Sequence, residues 1–394
     1  MLNRLIIIGN GFDLAHGLKT KYSDYLEDYW KNYTSESIFI KMLINISPEK
    51  LRSLKCLEDF LILLKEIVNP IEKSGHFYKR KLEFNTSENI LEITNDFFHW
   101  INNISSDANW VDIEREYFKY LKQLLRKEFK FNESISVDAI QQLDSLEKDQ
   151  LKLVSKLNKE IAELSNDFEE YLVKNVKPFI ENTKNSEMEK IFSNTFGMEF
   201  PKFYREFPKK EFHEIRTTID QKDEFGKTLV LNFNYTTTAS LYCSTPNFEI
   251  INIHGQIEDS KNPINIGFGD ENDEFYSRIE NANQNEYLRY MKSFIYSNNA
   301  NYKNLFDFID SSIFQTYILG HSCGLSDRTL LNTIFEHQNC KSIKVFYHKW
   351  KSSGVEQDNY LEIVKNISRH FNKKAMMREK IVNKEYCVAL PQNS

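Results

Sequence analysis

Residues 5–13 read Leu5-Ile6-Ile7-Ile8-Gly9-Asn10-Gly11-Phe12-Asp13. Four apolar residues, three of them β-branched, run into Gly-Asn-Gly. A short unbroken apolar run that ends on a glycine turn is the pattern of a strand buried on both faces in a parallel sheet. The same texture returns late in the chain, where residues 228–233, 248–253, 314–319 and 342–347 each read as a strand. Helical patterns lie between and after them, at 285–295, 302–309, 329–336 and 360–370. Strands alternating with helices predict a parallel sheet with right-handed crossovers.

Between the first strand and the rest, the period is helical from Tyr22 onward. Leu57, Phe60, Leu61, Leu64 and Val68 recur at helical spacing, as do Ile90, Ile93, Phe97 and Ile101, and then Ile113, Tyr117, Leu121, Leu124 and Leu125. Val154, Leu157, Ile161, Leu164, Phe168 and Tyr171 alternate by three and four, the seam of a long packed helix. That seam fits either a helical hairpin within one subunit or a dimerising helix. The fold class expected is α/β, a Rossmann-like parallel sheet with a large all-helical insertion after the first strand. Residues 1–25 and 226–394 form the sheet-bearing core, and 26–225 the insertion.

Composition agrees. The 394 residues include 12 Gly and 8 Pro, where average usage would give about 28 and about 20. So few turn formers exclude collagen-like and Pro-rich disordered chains and argue against a β-sandwich. A net charge of −6 without a long basic run gives no nucleic-acid signal. Five widely spaced cysteines without C-x-x-C, and histidines without a local ligand pair, predict no disulfide framework and no metal site. No apolar window is long enough for a membrane span or a signal peptide. A reducing, cytoplasmic setting is the expectation.

The few glycines gather in three windows: Gly9, Gly11 and Gly17; Gly255, Gly267 and Gly269; Gly320 and Gly324. Each window begins near a predicted strand end, and in open α/β sheets ligands bind beyond the carboxyl ends of the strands. Four segments therefore converge: Gly9 to Asp13, Asn232-Phe233-Asn234-Tyr235-Thr236, His254-Gly255, and Gly320-His321-Ser322. Gly9-x-Gly11 could admit a diphosphate to the backbone, although Leu14 stands where a third glycine would complete G-x-G-x-x-G. Asn234 offers a donor and an acceptor for ribose hydroxyls or a water. His254 can move protons near neutral pH. His16 and Tyr22 are further candidates for the pocket wall. Gly320-His321-Ser322-Cys323-Gly324 also matches the G-x-S-x-G nucleophile elbow, with Asp358 and His370 or His348 as potential partners. In the other reading, Ser322 and Asp327 contact a nucleotide or cap a helix.

Taken together, Ile8-Gly9-Asn10-Gly11-Phe12-Asp13-Leu14, Thr20-x-Tyr22-x-Asp24-Tyr25, Trp110-x-Asp112-x-Glu114, Asn232 to Thr236, Ile253-His254-Gly255 and Gly320-x-Ser322 through Asp327 resemble the bacteriophage abortive-infection AbiH family. That family is in turn distantly similar to sirtuin-like NAD-binding domains. Gly9, Gly11, Asn234, His254, Gly255, Gly320, Ser322 and Asp327 fall on the sirtuin-type pattern, whereas Thr236 replaces its Asp and the paired-cysteine zinc module is absent. The resemblance implies antiphage defence with NAD as substrate or ligand, no metal, and hydrolysis of NAD rather than protein deacylation. Asn234 and His254 would be catalytic. Gly9, Asn10, Gly11, Phe12, Asp13, Tyr22, Tyr235, Thr236, Gly255, Gly320, His321, Ser322 and Asp327 would line the nucleotide site. A homo-oligomer through the helical insertion and a phage-derived trigger are the partners expected. A nucleotide-binding sensor without chemistry and a serine hydrolase built on Ser322 are the alternatives.

Overall fold

The computed structural model describes residues 1–32, 95–105, 113–125, 137–193, 195–196, 200–219 and 224–393. It is an α/β structure. Strands β1 (Asn3–Ile8), β2 (Thr228–Asn232), β3 (Phe248–Asn252), β4 (Phe314–Leu319) and β5 (Cys340–Phe346) form one parallel sheet in the order β3-β2-β1-β4-β5. The strand read from Leu5 onward is therefore its centre, and every residue of β1 and β4 is buried. Ile8 is level with Asn232 on one side and Leu319 on the other, and Asn232 with Asn252. Four strands thus end together and deliver their following turns to one edge.

Alternation along the strands sorts the core into two layers. Leu5, Ile7, Leu229 and Leu231 pack with Leu305, Ile309, Leu331, Ile334 and Ile367, from helices Asn301–Ser311, Arg328–Glu336 and Tyr360–Arg369. Ile6, Ile8, Val230 and Leu319 pack with Phe12, Met188, Phe192 and Ile215, from helices Asn10–Ala15, Ser186–Phe192 and Phe212–Ile219. On that second side the buried Arg4 guanidinium donates to the carbonyls of Ile191 and Ser193 at 3.0 and 2.9 Å and lies 4.5 Å over the Phe225 ring. A cation at the carboxyl end of a helix meets its orphan carbonyls.

The chain forms two compact units: 1–20 with 172–281 and 290–394, and 21–171 with 282–289. The second unit is helical, with Tyr22–Asn32, Asp96–Ser105, Ile113–Leu125 and most of the 39-residue helix Val137–Asn175. The seam residues Val154, Leu157, Ile161, Leu164, Phe168 and Tyr171 are all buried within the single chain. Phe168 and Tyr171 meet the Tyr25 ring at 5.4 and 5.5 Å. The pattern at Leu57 to Val68 lies outside the described residues, as do Ile90 and Ile93. Among the described residues no helix is long and apolar enough to cross a membrane.

Two local features depart from the sequence reading. The helical pattern at 285–295 is broken into Asn285–Leu288 and Lys292–Ile295. Met291 is extended and bridges Phe268, with Phe268 N donating to Tyr290 O at 2.9 Å and Lys292 N to Phe268 O at 3.0 Å. Pairing with a segment distant in sequence has overridden helical spacing there. The other is an exposed hairpin of β6 (Lys349–Ser352) and β7 (Val355–Asp358), turned by Ser353 and Gly354 at φ 50° and 81°.

Candidate functional site

The turns after β1 and β4 meet backbone to backbone. Gly9 N donates to Leu319 O at 3.2 Å, and Gly11 N donates to Gly320 O at 2.8 Å. A Cβ on Gly320 would stand 2.1 Å from Phe12 N, and Gly320 is at φ +67°. A Cβ on Gly9 would stand 2.6 Å from His321 Cα. These glycines are required by the contact between the two turns. The Gly11 N–H, a candidate for gripping a diphosphate, is engaged by Gly320. Asn10 keeps partial exposure and accepts a hydrogen bond from the Thr20 hydroxyl at 2.5 Å.

After β2 the chain turns on its own side chains. Asn232 Oδ1 accepts from Asn234 N at 3.0 Å, while Asn232 Nδ2 donates to Thr236 O and to Asn252 Oδ1. This turn presents Asn234, whose Nδ2 donates to Gly9 O at 3.1 Å. That bond fixes the amide and assigns its Oδ1 the acceptor role. Thr236 donates to Asp13 Oδ2 at 2.6 Å. Asp13 is 1% exposed, and its Oδ1 has no hydrogen-bond partner among the described residues. Burial pushes the Asp13 carboxyl up to about 6 against the pull of Thr236, Thr238 and Asn234.

After β3 stands His254. Its Nε2 is 3.1 Å from Asp327 Oδ1 and 3.4 Å from the Tyr296 hydroxyl, and Phe233 packs edge-on to its ring at 4.9 Å. Gly255 turns the chain away against Pro263. After β4, His321 Nδ1 accepts from Cys323 N at 2.9 Å, so its proton is on Nε2, 3.7 Å from Asp327 Oδ2. Burial pushes the His321 imidazole down to about 4, opposed by Asp327. The Asp327 carboxylate is thus the hub. Lys292 Nζ, on a side chain with no exposure, lies 2.6 Å from its Oδ1. Burial alone would raise this carboxyl, but Lys292, His254 and His321 together hold it well below the usual carboxylate range.

Asn234, Asp13, Thr236, His254, His321 and Asp327 are therefore brought together along one sheet edge, each buried. The Tyr235 hydroxyl donates to Asn265 O at 3.4 Å. Ser322 is exposed, and its carbonyl accepts from Asn366 Nδ2 at 2.8 Å. His16 has both ring nitrogens engaged, with Phe12 O at 2.7 Å and the Tyr242 hydroxyl at 2.6 Å, and serves packing. Tyr22 and Glu114 belong to the helical unit, where Tyr22 packs on Tyr25 at 5.4 Å. Asp112 lies outside the described residues.

The serine-hydrolase alternative is not supported by this geometry. Positive φ falls on Cys323, at 53°, instead of on Ser322. His370 Nε2 is bound to Cys323 O at 2.8 Å, Asp358 to Lys384 at 2.6 Å, and His348 stacks on Trp350. Lys292 and Tyr296 are the members of the site that sequence reasoning missed. The nearest signal was the pair Gly267 and Gly269, which line the Lys292 stem: a Cβ on Gly267 would stand 3.4 Å from Lys292 Cγ, and one on Gly269 3.3 Å from Lys292 Cβ. Among the described residues no three His, Cys, Asp or Glu side chains are grouped to hold a metal ion.

The family model described as bacteriophage abortive infection AbiH matches residues 5–349. No curated protein matches the chain.

Proposed function

The chain belongs to the bacteriophage abortive infection AbiH family, and from that premise we propose that it serves antiphage defence by binding NAD at the carboxyl edge of the sheet and hydrolysing it to nicotinamide and ADP-ribose. The observation that carries this reading is the meeting of Asn234, Asp13, His254 and Asp327 where β1 to β4 end together. With the order β3-β2-β1-β4-β5, that edge includes the switch point between β1 and β4, the place where Rossmann-like sheets take nucleotides.

In the proposed reaction, water attacks C1′ of the ribose as the bond to the nicotinamide nitrogen breaks. The electron pair of that bond leaves with nicotinamide, which departs neutral. Asn234 Oδ1, fixed by the Nδ2 bond to Gly9 O, accepts from a ribose hydroxyl or from the attacking water. His254 takes the water's proton. Asn10 and Ser322, the more exposed groups of the two turns, lie beside the diphosphate and the adenosine half. Asp327 supports His254 in place of contacting the adenosine.

Purified protein incubated with NAD, alone and with extract from phage-infected cells, tests the reading. Nicotinamide release is expected, falling about 10²-fold or more in Asn234→Ala and His254→Ala. Equal release by both variants would remove these residues from the chemistry. A second reading, a nucleotide-binding sensor without catalysis, is favoured by the mutual pairing of Lys292, Asp327 and His254. NAD bound tightly and recovered intact in the presence of the extract would select it.

A further inference from the structure

A lysine with no exposed surface beneath the proposed NAD site calls for a reason. Lys292 begins the short helix Lys292–Ile295, directly after Met291 leaves the helical path to pair with Phe268. Its stem runs beside Gly267 and Gly269, and its Nζ reaches Asp327 Oδ1. The same oxygen is 3.1 Å from His254 Nε2. Groups from every neighbouring element face this carboxylate: Lys292 from the segment after 290, His254 from beyond β3, and His321 from beyond β4. Arg328, the next residue in the chain, pairs with Asp270 at 3.3 Å.

We propose that Lys292 is a positioning residue of this site: by neutralising Asp327 it makes that carboxylate the fixed acceptor of the His254 Nε2–H and leaves Nδ1 as the one basic atom of the ring. The role rests on the reading of this edge as the ligand site. A buried carboxylate between two imidazoles and no cation would draw a proton onto one of them, because an uncompensated charge in a low-dielectric setting is costly. The ammonium supplies a positive charge at the carboxylate oxygen itself. The imidazole can then remain a base with its tautomer set by the carboxylate. His254 Nδ1 makes no hydrogen bond among the described residues, as this role requires.

The test uses the full chain with 15N-labelled histidine. Two-bond 15N–1H correlation spectra read the tautomer of each ring, and His254→Gln assigns the His254 signals. The wild type is expected to give the Nε2–H form for His254. Lys292→Met is expected to bind one more proton than the wild type near neutral pH, read by difference potentiometry. The double variant Lys292→Met/Asp327→Asn removes both charges and leaves neither buried alone. In it the fixed tautomer should give way to a mixture. A double variant that keeps the pure Nε2–H form, or a single variant that takes up no proton, overturns the assignment. Where NAD is cleaved, kcat in Lys292→Met should fall about 10²-fold with KM little changed. A wild type that cleaves no NAD would sink the proposed activity and leave the tautomer measurement standing. An unchanged tautomer beside intact NAD cleavage would sink only the role of Lys292.

Discussion

The Thr236 hydroxyl donates to Asp13 Oδ2 at 2.6 Å, joining the turn after β2 to the helix after β1 across 223 positions of sequence. The turn after β2 thereby gains a carboxylate that the helix Asn10–Ala15 supplies. The Asp13 carboxylate, nearly without exposure and with one oxygen unpartnered among the described residues, is held at a disadvantage that can be measured.

Because burial raises the folded-state value of Asp13 to about 6, above about 3.9 in an unfolded chain, ionising it opposes folding. That penalty is absent below about pH 4, grows between about 4 and 6, and is complete above. A gap of about two units corresponds to about 3 kcal/mol. Asp13→Asn keeps an acceptor for Thr236 and removes the charge. It should be more stable than the wild type by up to about 3 kcal/mol at pH 7.5, with the difference closing near pH 4. Urea denaturation at both pH values measures this. A gain that is the same at both would show that the charge is not its source. If the chain cleaves NAD as proposed, the same variant should lose that activity, since the carboxylate lies beside Asn234.

The contact between the β1 and β4 turns predicts a contrast between two glycines of similar φ. Gly320 at +67° has Phe12 N in the way of any Cβ, whereas Gly17 at +77° has nothing within 4 Å. Gly17→Ala should cost only the left-handed strain, about 1–2 kcal/mol. Gly320→Ala must also push the two turns apart and should cost above about 4 kcal/mol. Equal denaturation midpoints for the two variants would contradict the backbone contact.

In the helical unit, the amino end of Asp96–Ser105 is closed by two side chains. Asn95 Oδ1 accepts from Phe98 N at 2.7 Å, and the Glu160 carboxylate accepts from Asp96 N and Phe97 N at 3.1 and 3.0 Å. Asn95→Ala should cost about 1 kcal/mol. Glu160→Ala should cost about 2–3 kcal/mol, because it leaves two amides without their acceptor at once. Faster hydrogen exchange at Phe97 and Phe98, with the sheet amides unaffected, is the expected signature. Uniformly faster exchange would mean that the caps do not act locally.

The central strand was legible because Leu5 to Ile8 are buried on both faces and therefore continuously apolar. The three glycine windows were legible as a cluster, but their cause was not. Gly9, Gly11 and Gly320 are needed where two backbones touch, and Gly267 and Gly269 where the carbonyls of Tyr290 and Ser326 approach. Lys292 itself could not be read. A cation in an amphipathic pattern looks solvated, and the pairing of Met291 with Phe268 that turns it inward is set by a non-local bridge. Asp13 with Thr236, and His254 with Asp327, are likewise brought together by strand order, which local spacing does not encode.

The last prediction concerns Ser322, where sequence and geometry part. A nucleophile elbow places the serine itself on a strained turn, with a histidine in reach and an acid behind it. Here the positive φ belongs to Cys323, and His370 approaches the Cys323 carbonyl, to which its Nε2–H donates. That bond holds Nε2 on the Cys323 carbonyl, and Nδ1 is buried without a hydrogen-bond partner among the described residues, so neither nitrogen is bonded to the Ser322 hydroxyl. Without an activating base, a serine hydroxyl at neutral pH reacts with a fluorophosphonate no faster than other surface serines. The intact protein should therefore give no specific labelling, and peptide mapping should find Ser322 unmodified. Labelling at Ser322 that disappears in both Ser322→Ala and His370→Ala would mean that the ring leaves Cys323 to reach the hydroxyl, and would restore the hydrolase reading.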